Sequence, residues 1–187
     1  MRIVGGAHRG VSLSCPKGTL TRPTSDRVRE SLFNILSHNF ETLNWDELRV
    51  LDLFAGTGAL GLEAISRGAS FCIFVEQSAD VRGIIRENVE KLNLTGRTRI
   101  FRRDATKLGD SGTSGKFDLI FSDPPYGKSL GEKSMIEALQ GGWLSENAVF
   151  VLEEASRSEI DIPDGFRLVD QREYGDTTLY FFELEAF

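Results

Sequence analysis

Long apolar runs are missing from these 187 residues. The longest, Phe71–Val75 and Ala148–Leu152, are strand-sized, far short of the roughly 20 residues a bilayer-spanning helix needs. The leading MRIVGGAHRG has no apolar signal-peptide core, so a cytoplasmic location is expected. Cysteine is scarce: Cys15 and Cys72 build no disulfide framework and read as reduced thiols. The two histidines, His8 and His38, have no ligand-spaced partners, which suggests surface or capping roles and no metal site. No internal repeat or low-complexity tract interrupts the chain. What remains is ordinary globular usage, 40% hydrophobic and 27% charged, which excludes wholesale disorder, a fibrous repeat and a disulfide-stapled miniprotein. The length fits one domain, 1–187.

The net charge of −6 looks wrong for a nucleic-acid binder until it is located. Residues 1–30 hold six bases (Arg2, Arg9, Lys17, Arg22, Arg27, Arg29) against two acids, a net +4. Residues 131–187 hold four bases against thirteen acids, a net −9. An acidic body with a basic N-terminal extension can still offer one face to phosphate. An ordinary solvated charge distribution explains the same numbers equally well.

Along the chain, Arg2–Val4 and Val11–Leu13 flank a glycine-rich turn and read as a hairpin or loop. Thr24 or Ser25 can cap a helix with Val28, Leu32, Ile35 and Leu36 on one face. From Arg49 strands and helices alternate. Strands are expected at 49–54, 71–76, 98–101, 117–122 and 148–153, with helices at 58–67, from Ser78, and around 134–140. The tail, 166–174 and 177–184, has no room for a helix between its strands and must form a hairpin across Gly175-Asp176. This grammar predicts an α/β, doubly wound, mostly parallel seven-stranded sheet with an antiparallel C-terminal hairpin and a reversed edge strand. A small β-hairpin and helix precede it.

Gly56-Thr-Gly58-Ala-Leu-Gly61 fits G-x-G-x-x-G directly after a strand, and Glu76 ends the next strand 20 residues on. Small residues let the backbone approach a ligand, and a carboxylate there accepts hydrogen bonds from ribose hydroxyls. A dinucleotide and other nucleoside cofactors share this physics. The fuller pattern, Asp52-Leu-Phe-Ala-Gly-Thr-Gly58, resembles motif I of S-adenosylmethionine-dependent methyltransferases. That resemblance puts Asp52 near the cofactor's amino-acid part, with Phe54, Gly56 and Gly58 in the loop and Glu76 on the ribose. Asp104, followed by Ala105, would then stand by the adenine; an exposed turn aspartate is the competing reading.

Asp123-Pro124-Pro125-Tyr126 is the sharpest signal. With proline near 5% of residues, such a run arises by chance in roughly one chain in a few hundred. It leaves the fourth strand, and in a sheet ordered 3-2-1-4-5 it would face the glycine loop across the switch point where ligands bind. Two prolines fix φ and remove two N–H donors, leaving a rigid, acceptor-rich loop. The Asp123 carboxylate and the Pro124 carbonyl can each accept one N–H of an exocyclic NH₂, localising its lone pair and aiming it at a methyl carbon. Asp123 can take the proton afterwards. Tyr126 offers a flat face to a flipped-out base. Lys128 reads either as a phosphate contact or as a solvated side chain.

The whole chain resembles the bacterial 16S rRNA (guanine-N2)-methyltransferase family, the RsmD type, with a Class I Rossmann-like fold. The resemblance is carried by Arg2-Ile-Val-Gly-Gly6 with Arg9-Gly10, by Arg22-Pro-Thr-Ser-Asp-Arg-Val-Arg-Glu-Ser-Leu-Phe-Asn34, and by Leu53–Ala64. It implies S-adenosylmethionine as methyl donor, without a metal, and one guanine N2 of 16S rRNA, in a partly assembled small ribosomal subunit, as acceptor. It further implies an RNA-contacting extension over 1–40 and a catalytic body over 41–187; nothing in the sequence suggests an obligate dimer, so a monomer is the default expectation. Arg2, Arg9, Arg22, Arg27 and Arg29 would supply the cationic surface, although Arg27, Arg29 and Glu30 suit helix-surface pairs as well. Removing residues 1–22 is expected to abolish substrate binding and spare cofactor binding. Three rivals share parts of the pattern: an adenine-N6 methyltransferase on DNA or another RNA, an NAD-dependent dehydrogenase, and a catalytically silent RNA-binding module. The dehydrogenase leaves Asp123–Tyr126 unexplained, and the silent module leaves both loops unexplained.

Overall fold

A computed structural model describes residues 1–18 and 24–186. Seven strands, β1 (Arg49–Leu53), β2 (Phe71–Val75), β3 (Thr98–Phe101), β4 (Phe117–Ser122), β5 (Leu144–Ala155), β6 (Phe166–Tyr174) and β7 (Thr177–Leu184), form one sheet in the order β3-β2-β1-β4-β5-β7-β6. Helices α1 (Asp26–Asn39), α2 (Ala59–Ser66), α3 (Ala79–Lys91) and α4 (Leu130–Gln140) cover its faces. The first five strands pair in parallel, as the alternating strand–helix grammar requires. Every residue of β1 and β2 after the first is buried, which is why β2 is a continuous apolar run and β1 is apolar there except at Asp52.

The reversed strand is β7 and not the edge strand. It lies between β5 and β6, antiparallel to both. Burial decides the order. Thr177–Leu184 carries Leu179, Phe181 and Phe182 into the core, whereas Phe166–Tyr174 is mostly exposed and charged. Its register shift between Leu168 and Asp170, with Arg167, Asp170 and Arg172 alongside, suits an edge that resists further pairing. Ser25, of the two candidates, caps α1 by accepting the Val28 N–H at 3.2 Å, and Ser78 caps α3 through Val81 at 3.4 Å.

Helix α2 is buried on all sides, because the N-terminal segment covers the face it turns away from the sheet. That segment closes a hairpin through a single antiparallel bridge, Arg2 to Ser12, and sends Ile3 and Leu13 into the same core as α1, α2 and α3. It is bonded to the body along its length. Val4 donates to Glu63 Oε2 at 3.0 Å, His8 to Ser66 Oγ at 3.0 Å, and Ser14 to Asn88 Oδ1 at 2.7 Å. His8 Nε2 also meets the Leu92 carbonyl at 3.1 Å, and exposed His38 meets the Asn34 carbonyl at 2.7 Å, so both histidines finish helix ends or turns. Cys15 and Cys72 are both free.

Candidate active site

The carboxyl ends of β1, β2, β3 and β4 open into one cavity of about 730 Å³. Its floor is the loop after β1. Backbone at Phe54, Gly56 and Gly58 alternates into the left-handed region (φ 53°, 57° and 80°), a conformation that costs a non-glycine residue about 1–2 kcal/mol. Phe54 therefore carries local strain at the cavity wall. The loop is tied down by Ala55 N–H to Val75 O at 3.0 Å and by Gly58 N–H to Ala55 O at 2.8 Å. Gly56 lines the cavity; Gly58 starts α2 beneath it.

Asp52, Glu76 and Asp104 line the same cavity. Asp52 is buried and accepts the Gly61 N–H at 3.0 Å, locking the first turn of α2 to β1. Burial pushes its carboxyl well above the usual range, against the pull of that hydrogen bond, and the Glu76 charge adds to the rise. Glu76 takes the Gly56 N–H at 3.2 Å and the Ser78 N–H at 2.9 Å, so it braces the glycine loop as well as facing the cavity. Asp104 fits both readings made of it: it caps a short turn by accepting from Thr106 N (2.8 Å) and Oγ1 (2.7 Å), and it lines the cavity with Ala105. Partial burial raises its carboxyl, but the Thr106 and Gln77 hydrogen bonds outweigh this and hold it below the usual range.

Asp123, Pro124 and Tyr126 form the opposite wall. Burial first, then the Glu153, Asp52 and Glu154 charges, push the Asp123 carboxyl well up, opposed by the Thr24 hydroxyl. A carboxylate made basic in this way is suited to accept N–H bonds and then a proton. Tyr126 is half-buried, with its hydroxyl donated to Glu153 Oε1 at 2.7 Å and 2.9 Å from Thr177 Oγ1. Burial raises its phenol, keeping it neutral. The other Glu153 oxygen accepts the Thr24 hydroxyl at 2.7 Å, and Glu154 accepts the Gly127 N–H at 3.0 Å. The C-terminal end of the tetrad loop is thus anchored to β5.

Glu153, Glu154, Thr24, Gln77 and Thr106 were not singled out from sequence as site residues, Thr24 being read only as a candidate helix cap. One signal for the first two was available: a pair of acids closing the otherwise apolar strand Ala148–Leu152 at the sheet end where ligands bind. The basic residues divide differently from expectation. Arg2 and Arg9 are exposed, as is Lys128, and none of the three lines the cavity. Arg22 lies outside the described residues. Arg29 is a correction: it is fully buried, so it adds nothing to a cationic outer surface. Its place is set by Asp26, by the Arg2 carbonyl and by Glu63 on α2. Among the described residues no group of three or more His, Cys, Asp or Glu could hold a metal ion, and no helix is long and apolar enough to cross a membrane.

Comparison with known proteins bears on the whole length. The profile of the family described as conserved hypothetical protein 95 matches residues 1–183. The chain is 37% identical over 166 residues to a putative rRNA methyltransferase YlbH of Bacillus subtilis, covering 88% of this chain and 86% of that protein. It is 33% identical over 188 residues to ribosomal RNA small subunit methyltransferase D of Escherichia coli, covering 100% and 91%. The solved structure of a putative methyltransferase, yhhF, from Escherichia coli superposes with a TM-score of 0.84 at 32% identity, covering 100% of this chain and 98% of that one.

Proposed function

The chain belongs to the conserved hypothetical protein 95 family, and from that premise we propose that it methylates the exocyclic N2 amine of a guanine in 16S, small-subunit, rRNA with S-adenosylmethionine as donor. The observation that carries the reading is the single cavity shared by the loop after β1 and the Asp123–Tyr126 loop after β4. The cavity falls within the range that encloses small-molecule ligands. Its walls also match a nucleoside with an amino-acid tail. Glu76 accepts from ribose hydroxyls, Asp104 with Ala105 borders the base, and Asp52, Phe54, Gly56 and Gly58 shape the end nearest the tail. When bound, the donor supplies an electrophilic methyl carbon on a sulfonium leaving group. The relatives named for ribosomal RNA support the substrate class.

The chain's own residues then do three things. Asp123 and the Pro124 carbonyl accept the two N–H bonds of the amine, orienting its lone pair into the cavity. The negative field of Asp123, Glu153 and Asp52 favours the positive charge that develops on that nitrogen. Asp123 finally accepts a proton as the amine is alkylated. Tyr126, tethered by its hydroxyl, keeps its ring where a splayed-out base can stack. Outside the cavity, Arg2, Arg9 and Lys128 approach RNA phosphates, and Arg22 serves the same role, residues 1–40 being the RNA-facing part of one unit with 41–187. A monomer acting in the cytoplasm on a partly assembled small subunit completes the proposal.

The test is transfer of labelled methyl from S-adenosylmethionine to small subunits from cells lacking the protein, with digestion to nucleosides and Asp123→Ala in parallel. The expected product is N2-methylguanosine, absent with the variant. Label in N6-methyladenosine would overturn the substrate and keep the enzyme class. No transfer to subunits, naked rRNA or DNA would overturn the activity.

A further inference from the structure

Arg29 is the least satisfied charged side chain of the cavity wall. It is 0% exposed and lines the cavity together with Met1, Asp52 and Thr57. Nη2 bonds the Arg2 carbonyl and Asp26, but Nε and Nη1 have no hydrogen-bond partner among the described residues. Nε approaches Glu63 Oε2 only to 3.9 Å. Buried donors left unmade are costly, and in native structures they point to something that completes them. Its counter-charges are shared: Glu63 also pairs with Arg67, and Asp26 also faces exposed Arg2.

The remaining charged groups of the cavity wall identify what fits. Four are acids, Asp52, Glu76, Asp104 and Asp123, and these suit the ammonium, ribose hydroxyls and amines of a ligand. Among the described residues two cationic side chains line it, Arg29 and Arg103. Arg103 is already engaged, donating to the Leu108 carbonyl at 3.0 Å with its guanidinium over Phe101 and Trp143. Arg29 lies at the cavity wall and not on the outer surface, which favours an anion carried by the ligand inside over an RNA phosphate.

We propose that Arg29 binds the α-carboxylate of the methyl donor through Nη1 and Nε, acting as a recognition residue for its amino-acid end. This rests on the methyltransferase reading above. Asp52 lies on the same wall to face the ammonium, so a zwitterion meets charges of both signs. The arrangement also makes the N-terminal hairpin part of the recognition, since the Arg2 carbonyl and Asp26 hold the guanidinium in place.

The experiment compares two ligands. S-Adenosylhomocysteine carries the carboxylate; 5′-methylthioadenosine has the same adenine, ribose and thioether without the amino-acid end. Calorimetric affinities are measured for wild type, Arg29→Met and Arg29→Lys. The expected result is an S-adenosylhomocysteine affinity at least about tenfold lower for Arg29→Met, the scale of a charge-assisted hydrogen bond, with methylthioadenosine changed less than about twofold. Arg29→Lys, which keeps the charge and loses the fork, falls between. Equal losses for both ligands would show a purely structural role and overturn the assignment. If the variants do not fold, the carboxamide of S-adenosylhomocysteine tests the wild type directly, and binding as tight as that of the acid overturns the assignment. A wild type that binds neither nucleoside overturns the methyltransferase reading itself, and this inference with it.

Discussion

Asp123 sits where burial and three neighbouring acids disfavour its charge, and that placement sets activity against stability. Its folded-state pKa lies above its unfolded value, so the native protein binds the extra proton more readily. The stability this gives is complete below the unfolded pKa and is lost as pH rises through the folded one. At pH 7–8, above its unfolded value, the group therefore costs the fold stability. Asp123→Asn is expected to raise the melting temperature at pH 7–8, by about 2–4 °C per kcal/mol relieved. The gain should shrink toward pH 4, where the wild-type group is neutral. The same variant should lose about 10²-fold or more in kcat as the proton acceptor disappears. Calorimetric melts and single-turnover rates across pH check both halves, and a variant less stable than wild type at pH 8 would contradict the assigned cost. Tyr126→Phe separates ring from hydroxyl. It should keep the base-stacking face and cofactor affinity but release the Glu153 and Thr177 ties, lowering kcat more than it raises KM for subunits. At this scale the tetrad and the motif around Asp52 were legible because short-range chemistry dictates them. Glu153 and Thr24 were not, because they meet across 129 residues of chain.

The elements were legible wherever one period dominated. The strands β1, β2 and β4 and the terminal hairpin fell within a residue or so of expectation, whereas α4 begins at Leu130 and β5 spans Leu144–Ala155, both longer than their apolar centres suggested. The order of the last two strands escaped, since it depends on which one the core needs, a property of packing and not of alternation. The glycine motif shows the same division. Its three glycines look equivalent in sequence but answer to different constraints. A Cβ at Gly61 would stand 2.5 Å from Phe74 Cε1 and 2.6 Å from Cys72 Sγ, so this position is the contact between α2 and β2. At Gly56 a Cβ meets nothing nearer than its neighbouring carbonyl at 4.0 Å, and the constraint is the positive φ. Gly61→Ala is expected to destabilise the fold by about 1–3 kcal/mol through overpacking, lowering the melting temperature by roughly 2–10 °C. Gly56→Ala should cost about 1 kcal/mol of backbone strain and act chiefly on cofactor affinity, because the loop it distorts is the cavity floor. Thermal melts beside cofactor titrations distinguish the two; equal effects of both variants on both readouts would remove the distinction.

For the molecule as a whole, the polarised charge predicted a detachable basic arm, and the structure corrects this. Ile3 and Leu13 are core residues, and the hairpin supplies backbone partners to Glu63, Ser66 and Asn88. Losing two such side chains alone costs about 4–10 kcal/mol, comparable with the 5–15 kcal/mol that holds a typical domain together. Deleting residues 1–22 should therefore abolish cofactor binding along with RNA binding, with loss of the cooperative melt. The RNA surface must be tested by charge, leaving the hairpin's packing intact. Arg9 is exposed on the hairpin turn and removed from the cavity, which makes Arg9→Glu the cleaner probe. The acidic body repels RNA at long range, so each arginine–phosphate contact should weigh on encounter. Each contact also adds about −0.7 to the slope of log affinity against log salt for single strands and −0.9 for duplex. Arg9→Glu is expected to flatten that slope by about one unit and to raise KM for small subunits several-fold near 0.1 M salt. Melting temperature and S-adenosylhomocysteine affinity should stay at wild-type values. An unchanged salt slope in filter binding to purified subunits would remove Arg9 from the RNA surface, and the cationic approach would then rest on Arg2, Arg22 and Lys128.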